Sequence, residues 1–417
     1  GAGYRSRVFF SAKHRRLLAI QVENLSMDSS LTGQLRVPQA NYEYLTDWPT
    51  YELGAASESR FAIDQVEENV VVGRGSPGLY TRGAWSLRST GPLLETRASN
   101  RFGVEVPPGG EQTFLFAFVT HWQTEEYAQT SARLAGESGD YRTAERHHQE
   151  AWDEDWARTP LLVLPDERHE ELFYRSVFWL FSTAGHGGFL PGESQFATAC
   201  WNMRPFTYGA AGWATLAFTR LGHFERARTM LEAHFKPAAL RENAELYIEE
   251  SPRQGGAFSF AHEVRTDGTT NGVNDEQRHL NGFALALFHQ YYVMTGDEEF
   301  LQESLYPVAR GVAEFWSDLA VWNPSVEAYT FPRLRSVSED LFEESILDVV
   351  LSARWSLETA VHYAERVDAD EDARHRWAKV ARELHIPQND RHYLEFLGDR
   401  EDREYGSYQG IRAPVYL

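Results

Sequence analysis

The sequence predicts a multidomain chain of the β plus all-α class. An N-terminal antiparallel β-sandwich is followed by an (α/α)6 toroid, apparently incomplete at the C-terminus. Three observations carry this. Residues 1–135 hold short apolar or alternating runs split by Gly, Pro, Ser and Asn, the texture of an antiparallel sandwich. Beyond residue 165, apolar positions recur at three and four over segments long enough for helices. Those segments are joined by tight turns or by long Gly-rich connections, and they are too few to close a ring of six hairpins.

Taken in order, the expected strands are "RSRVFFSA", "RLLAIQVENLS", "GQLRVPQANYEYLT", "NVVVGRG", "AWSLRST", "RFGVEVPPGG" and "EQTFLFAFVTHW". The texture then changes: "DYRTAERHHQEAWDEDWART" has helical character and almost no β-branched residues, so 136–160 reads as a helical linker between a sandwich at 1–135 and a toroid at 161–417. Seven further helices are expected, within 166–184, 207–222, 223–235, 277–296, 297–319, 345–367 and 371–385. Several are apolar on more than one side, which suits helices packed between neighbours. "LGH" (221–223) and "TGD" (295–297) read as tight helix-to-helix turns.

Composition narrows the function. The net charge is −21, which repels phosphate backbones and anionic surfaces and argues against nucleic-acid and membrane partners. A single cysteine, Cys200, leaves no internal disulfide and no cysteine-based metal site. No P-loop, G-x-S-x-G or H-E-x-x-H stands in the chain and its histidines are scattered, so neither cofactor nor metal is expected. No apolar run approaches the ~20 residues of a membrane span. No signal peptide is seen either, which slightly favours the cytoplasm while the compartment stays open. Twelve Trp and nineteen Tyr hint at surfaces that stack on sugar rings.

In an α/α toroid the substrate pocket lies at one end, lined by the connections that lead into the inner helices. Three connections are rich in suitable groups: "ATACWNMRPFTY" (197–208), "GGAFSFAHEVRTDGTTNGVNDEQRHLNG" (255–282) and the stretch around "SVSEDLFEES" (336–345). The last crowds Glu339, Asp340, Glu343 and Glu344 ahead of a helix. Ser338 as cap with acids in the first turn would favour the helix dipole. The same crowding would also raise a carboxyl pKa, as a general acid of glycoside cleavage requires.

Several segments resemble, in order and spacing, glycoside hydrolase family 65: "HLNGFALALFHQYYVMTGDEEFL", "VAEFWSDLAVWNPSVEAY", "SVSED", "SLETAVHYAERV" and "WAKVARELHIPQNDRHYLEFLGD". Its members include disaccharide phosphorylases, trehalases and protein-glucosylgalactosylhydroxylysine glucosidase. The resemblance covers about 200–410 well and the N-terminal part loosely. It implies an N-terminal β-sandwich, a helical linker and an (α/α)6 barrel. It also implies an inverting enzyme that releases glucose from an α-linked glucoside. Glu339 falls where the family has its general acid, with Asp340 beside it after a one-residue insertion. Trp201 and Asn202 fall on a family Trp-Asp pair that contacts the glucose, so an amide replaces a carboxylate. His279 begins a matching segment, and "FSFAHE" (258–263), ending in Glu263, stands where members have a Phe-Pro-Trp-Glu-like loop. Trp201 would stack on the sugar, while Asn202, Arg204, Glu263 and His279 would hydrogen-bond its hydroxyls. The alternative roles are a core aromatic for Trp201, an ion pair for Arg204, and a helix cap or buried structural group for His279.

The family's catalytic base, or the phosphate site of its phosphorylases, is expected beyond Leu417. A phosphorylase on the same scaffold is therefore one alternative, and it allows a homodimer. A carbohydrate-binding descendant without turnover is another. Glucoamylase-like family 15 is the runner-up resemblance: "LFEES" (341–345) imitates its Trp-Glu-Glu motif and would make Glu343 the acid, whereas in the family 65 reading Glu343 and Glu344 are solvated first-turn acids.

Overall fold

The computed structural model describes residues 3–11, 17–36, 62–67, 70–78, 81–95, 101–121, 140–183, 210–248, 256–262, 264, 268–270, 276–337, 341–390 and 392–399. The chain divides into two units, Gly1–Ala157 and Arg158–Leu417.

Strand alternation builds the first unit. Its strands are β1 (Tyr4–Phe10), β2 (Leu17–Asn24), β3 (Leu31–Arg36), β4 (Ala62–Glu67), β5 (Val70–Gly78), β6 (Thr81–Ser89), β7 (Leu94–Glu95), β8 (Arg101–Val106) and β9 (Glu111–His121). They form an antiparallel six-stranded sheet in the order β1-β2-β9-β6-β5-β4 and a three-stranded sheet β3-β8-β7. The register Ala19↔Leu115 and Leu17↔Ala117 puts these four residues on one face of the large sheet. There they bury against Tyr141 and Ala144 of helix α1 (Tyr141–Arg158). The alternate residues Ile20, Val22, Phe114 and Phe116 point the other way and join Phe102, Val104 and Leu35 of the small sheet, with Leu87 and Leu93, in a second cluster. Asp140 caps α1, its Oδ1 accepting from the Thr143 N–H at 2.9 Å.

The expected strand within 33–46 is described only as β3, which ends at Arg36, and β4 and β7 were not anticipated. β4 is an edge strand, "AIDQVE", whose acidic and amide residues mask its alternation, and β7 is two residues long. The segment read as a linker helix packs on the sheet as part of this unit's core.

The second unit is helical: α2 (Glu167–Thr183), α3 (Ala210–Arg220), α4 (Phe224–His234), α5 (Pro237–Glu245), α6 (Leu280–Thr295), α7 (Tyr306–Leu319), α8 (Leu347–Arg366) and α9 (Glu371–Glu383). Helix α5 was not expected. It is short and polar, and Pro237, which reads as a breaker, sits at its first turn, where a missing N–H costs nothing. Helix α6 is buried on nearly every side, from Leu280 through Leu285, Phe288 and Tyr292. Each large side chain so buried contributes about 1.5–3 kcal/mol. Gly296, at φ +64°, ends α6 in the left-handed conformation. The Oδ1 of Asp297 accepts from the Phe300 N–H at 3.0 Å to start a helical lead-in that passes through the π-turn Leu301–Leu305 into α7. Helix α9 buries only Trp377, Val380 and Ala381, as an outward-facing helix should.

Two hairpins separate α7 from α8: β10 (Val321–Asn323) with β11 (Ala328–Thr330), and β12 (Arg333–Arg335) with β13 (Phe342–Glu344). The second corrects an expectation. Residues 342–344 are a strand, and α8 begins only at Leu347, after Ile346 in extended backbone, so Glu343 and Glu344 are not first-turn acids. Contacts across the hairpin explain this. The Arg333 and Arg335 guanidinium groups lie 5.0 and 5.7 Å from the Phe342 ring centroid, and Arg333 Nη2 donates to the Phe342 carbonyl at 2.7 Å. Ser345, at φ +47°, then turns the chain into the helix, its Oγ accepting from the Phe331 N–H at 2.9 Å.

Candidate functional site

The described parts of two of the three connections singled out in the sequence come together at the N-terminal ends of α6 and α8. The loop 256–262 is laid down first. Phe258 N–H donates to the Gly311 carbonyl at 2.8 Å, and its ring fills the space where a side chain at 311 would stand, within 2.2 Å of an added Cβ. Ser259 N–H donates to the Leu240 carbonyl at 3.0 Å, so α5 anchors this loop. Asn243, also on α5 and fully buried, holds the next stretch by accepting from Thr270 N–H at 3.0 Å.

The α6 lead-in, 276–282, locks onto that loop. Arg278 is fully buried, donates to Ser259 Oγ at 2.8 Å, and lies 3.9 Å from the Tyr247 ring centroid. Asn281 Oδ1 accepts from Phe260 N–H at 2.7 Å. Helices α6 and α8 touch at Gly282 and Ser352: Ser352 Oγ donates to the His279 carbonyl at 2.8 Å and accepts from Gly282 N–H at 3.1 Å. A methyl group on Gly282 would sit 2.3 Å from that oxygen, so only glycine permits this approach.

The β12–β13 hairpin closes the arrangement. Arg335 N–H donates to the Glu276 carbonyl at 3.1 Å, and its guanidinium meets the Glu276 carboxylate at 3.3 Å. Ser336 N–H donates to the Leu341 carbonyl at 2.9 Å, and its own carbonyl accepts from Gln277 Nε2 at 3.1 Å. Asp348, in the first turn of α8, receives Ser336 Oγ at 3.0 Å and Val337 N–H at 2.8 Å on Oδ2, and Val349 N–H at 2.8 Å on Oδ1. Burial pushes the Asp348 carboxyl above the usual range, against these hydrogen bonds.

The candidates divide accordingly. Glu339 and Asp340 belong to the connection between β12 and β13, and with Trp201, Asn202, Arg204 and Glu263 they lie outside the described residues. His279 is at the site, buried at the N-cap position of α6, and its ring makes no capping bond. Burial, reinforced by the Arg278 charge, lowers its pKa to about 3, and burial with His279 nearby lowers that of His262 to about 4. Both imidazoles are neutral at neutral pH: they can hydrogen-bond but cannot supply a cation. Glu343 is half-buried on β13, 3.8 Å from the Arg333 guanidinium. Sequence reasoning missed Gln277, Arg278, Ser336, Ser352 and Asp348. Only Asp348 left a signal, as the single charge inside the apolar run "SILDVVL". Among the described residues no cluster of His, Cys, Asp and Glu could hold a metal, and no helix is long and apolar enough to cross a membrane.

Known proteins with this architecture give the site a context. At 22% identity, 92% of this chain aligns with 53% of a maltose phosphorylase from Bacillus subtilis (strain 168). At 23% identity, 66% of it aligns with 43% of a protein-glucosylgalactosylhydroxylysine glucosidase from Danio rerio. A kojibiose hydrolase from Flavobacterium johnsoniae is 31% identical over 98 residues, 23% of this chain and 14% of that protein. The chain thus spans about half the length of the curated relatives it matches most broadly. A solved human-microbiome protein assigned as a kojibiose phosphorylase superposes over 95% of this chain and 55% of its own, with a TM-score of 0.71 at 8% identity. That likeness speaks for the fold alone, a β domain followed by a helical toroid. Residues 224–397, which contain α4 to α9, both hairpins and the whole network around Asp348, match the glycosyl hydrolase family 65 central catalytic domain.

Proposed function

We propose that the chain belongs to a carbohydrate-active enzyme that cleaves an α-linked glucoside with inversion, with Glu339 as the general acid. The observation that supports this most is where the β12–β13 connection begins. The family match runs through it, and its first residues, Ser336 and Val337, are tied to the α6 lead-in and to α8. In this reading Glu339 gives its proton to the glycosidic oxygen, the C1–O bond breaks, and the sugar or aglycone leaves as an alcohol. A water then adds to C1 from the opposite face and loses its proton to a base, which is not assigned within these residues. Trp201 stacks on the glucose, and Asn202, Arg204, Glu263, His279 and Asp340 surround it. The domain plan that goes with this is a sandwich at 1–135, a helical linker at 136–160 and an (α/α)6 toroid from 161, incomplete within this chain.

Phosphorolysis is the second reading. The alignment to the maltose phosphorylase extends over 92% of this chain, against 66% for the glucosidase, and this breadth favours it. Phosphate would then replace water at C1, and a homodimer would suit that reading.

Release of glucose or glucose 1-phosphate from maltose, kojibiose, trehalose and other α-glucosides tests both. It should be measured with and without phosphate, on the longest natural form of the chain. Substitution Glu339→Gln is expected to lower turnover by about 10²–10⁴-fold. Phosphate dependence would select phosphorolysis. Loss of turnover with Glu343→Gln but not with Glu339→Gln would move the acid to Glu343. Sugar binding without release by the unsubstituted protein would leave a binding-only descendant.

A further inference from the structure

We infer that Asp348 is the positioning residue for the general acid, acting through Ser336 and Val337 at the base of the β12–β13 connection. The inference rests on the reading of Glu339 as the acid. The four residues 337–340 follow Ser336, and Leu341 closes the segment by accepting the Ser336 N–H at 2.9 Å. Asp348 holds the entry to this segment with a single carboxylate oxygen, taking both Ser336 Oγ and Val337 N–H. Its other oxygen takes Val349 N–H, which fixes the carboxylate plane to the first turn of α8. Gln277 grips the Ser336 carbonyl from the α6 side. The backbone N–H and C=O of Ser336 are therefore both used, and its hydroxyl is committed to Asp348. Glu339 stands two residues past Val337 in the sequence, close enough along the chain for an anchor at Val337 to bear on it.

A carboxyl group 5% exposed is costly to bury unless its oxygens are hydrogen-bonded, and those of Asp348 are spent on Ser336, Val337 and Val349. One of those oxygens, Oδ2, serves only the start of the connection that carries the candidate acid.

The test uses a substrate whose leaving group needs no proton. Asp348→Asn and the milder Ser336→Ala should be compared with the unsubstituted protein and Glu339→Gln, in the longest natural form. The substrates are whichever α-linked disaccharide that protein cleaves and α-D-glucosyl fluoride. Loosened positioning of an acid should lower kcat on the disaccharide by at least about 10-fold, with KM changed less than about threefold. On the fluoride, which departs without protonation, kcat should fall less than about threefold. An equal loss on both substrates, or no loss on either, overturns the positioning role. Ser336→Ala decides the matter should Asp348→Asn fail to fold. If Glu339→Gln keeps its disaccharide turnover, the assignment of the acid fails instead, and the two failures are told apart.

Discussion

The two ends of helices α6 and α8 are built from opposite materials. At their N-terminal ends, polar groups are buried and bonded to one another: Arg278, Asn281, Ser352, Asp348 and His279 are each less than 9% exposed. Toward their C-terminal ends lie charged pairs that are partly or largely exposed. Arg228 meets Asp297 at 3.2 Å and Glu299 at 3.6 Å, Arg366 meets Glu298 at 2.5 Å, and Arg310 meets Asp370 at 2.9 Å. A buried network costs desolvation and tolerates no missing partner, but it fixes geometry to tenths of an ångström. A surface ion pair costs little and fixes little. The end that carries the candidate site is the one where the chain has accepted the higher cost.

The sharpest way to break the buried end is steric. Gly282→Ala would set a methyl group 2.3 Å from Ser352 Oγ and 3.1 Å from the Ser352 carbonyl oxygen, forcing α6 and α8 apart and weakening the Ser352 bonds to His279 and Gly282. The expected cost is about 2–3 kcal/mol, which lowers the Tm of the helical unit by roughly 5 °C or more. The double variant with Ser352→Ala should be less destabilised than the two single effects added together. Additive costs would mean that the two residues do not share the contact.

Legibility in the sequence follows the same division. Features decided by near neighbours could be read directly: the Gly296-Asp297 turn and the apolar girth of α6, where every signal lies within a few residues. Features decided across the fold could not. The late start of α8 depends on Arg333 and Arg335 stacking on Phe342, so a run of acids that looks like a helix start becomes a strand. Asp348 stands out in the sequence only as a charge inside an apolar run, and its partners Ser336 and Val337 become visible only once the hairpin has folded back. His279 was legible as a site candidate, but its neutral state comes from burial in the packing around α6, reinforced by the Arg278 charge. Glu339 and Asp340 were legible as members of a crowd of carboxylates, and the connections holding Trp201, Asn202, Arg204 and Glu263 by their composition, while the individual roles of Glu339, Trp201, Asn202 and Glu263 came from resemblance to a family.

Acid should separate the two ends next. His279 and His262 have pKa values lowered to about 3 and 4 in the folded chain, against 6.5 for an ordinary histidine. Below pH 6.5 the unfolded chain binds protons at these positions and the folded chain does not. Stability therefore falls as the pH drops from 6.5 towards 4, by up to ~1.4 kcal/mol per pH unit for each histidine. Asp348 opposes this. Its raised folded pKa means the folded state holds its proton more readily, so stability from this group is present at low pH and lost as the pH rises through that value. Unfolding measured by denaturant at a series of pH values should show a shallower slope between 6.5 and 4 for His279→Gln. An unchanged slope would mean that His279 titrates alike in both states.

The smallest effect belongs to the charged end and should respond to salt rather than acid. Arg228→Ala removes contacts to Glu232, Asp297 and Glu299 and a guanidinium 5.9 Å from the Phe300 ring centroid. Two of its three partners, Glu232 and Glu299, are exposed, so the loss is expected to be a few tenths to about 1 kcal/mol at low ionic strength. Salt near 1 M shrinks the Debye length to about 3 Å and should erase most of the charge contribution, leaving only the packing of the arginine stem on Phe300. The Gly282→Ala deficit, by contrast, is steric and should keep its size in the same salt. Equal salt sensitivity of the two variants would show that the buried end also depends on screened charge.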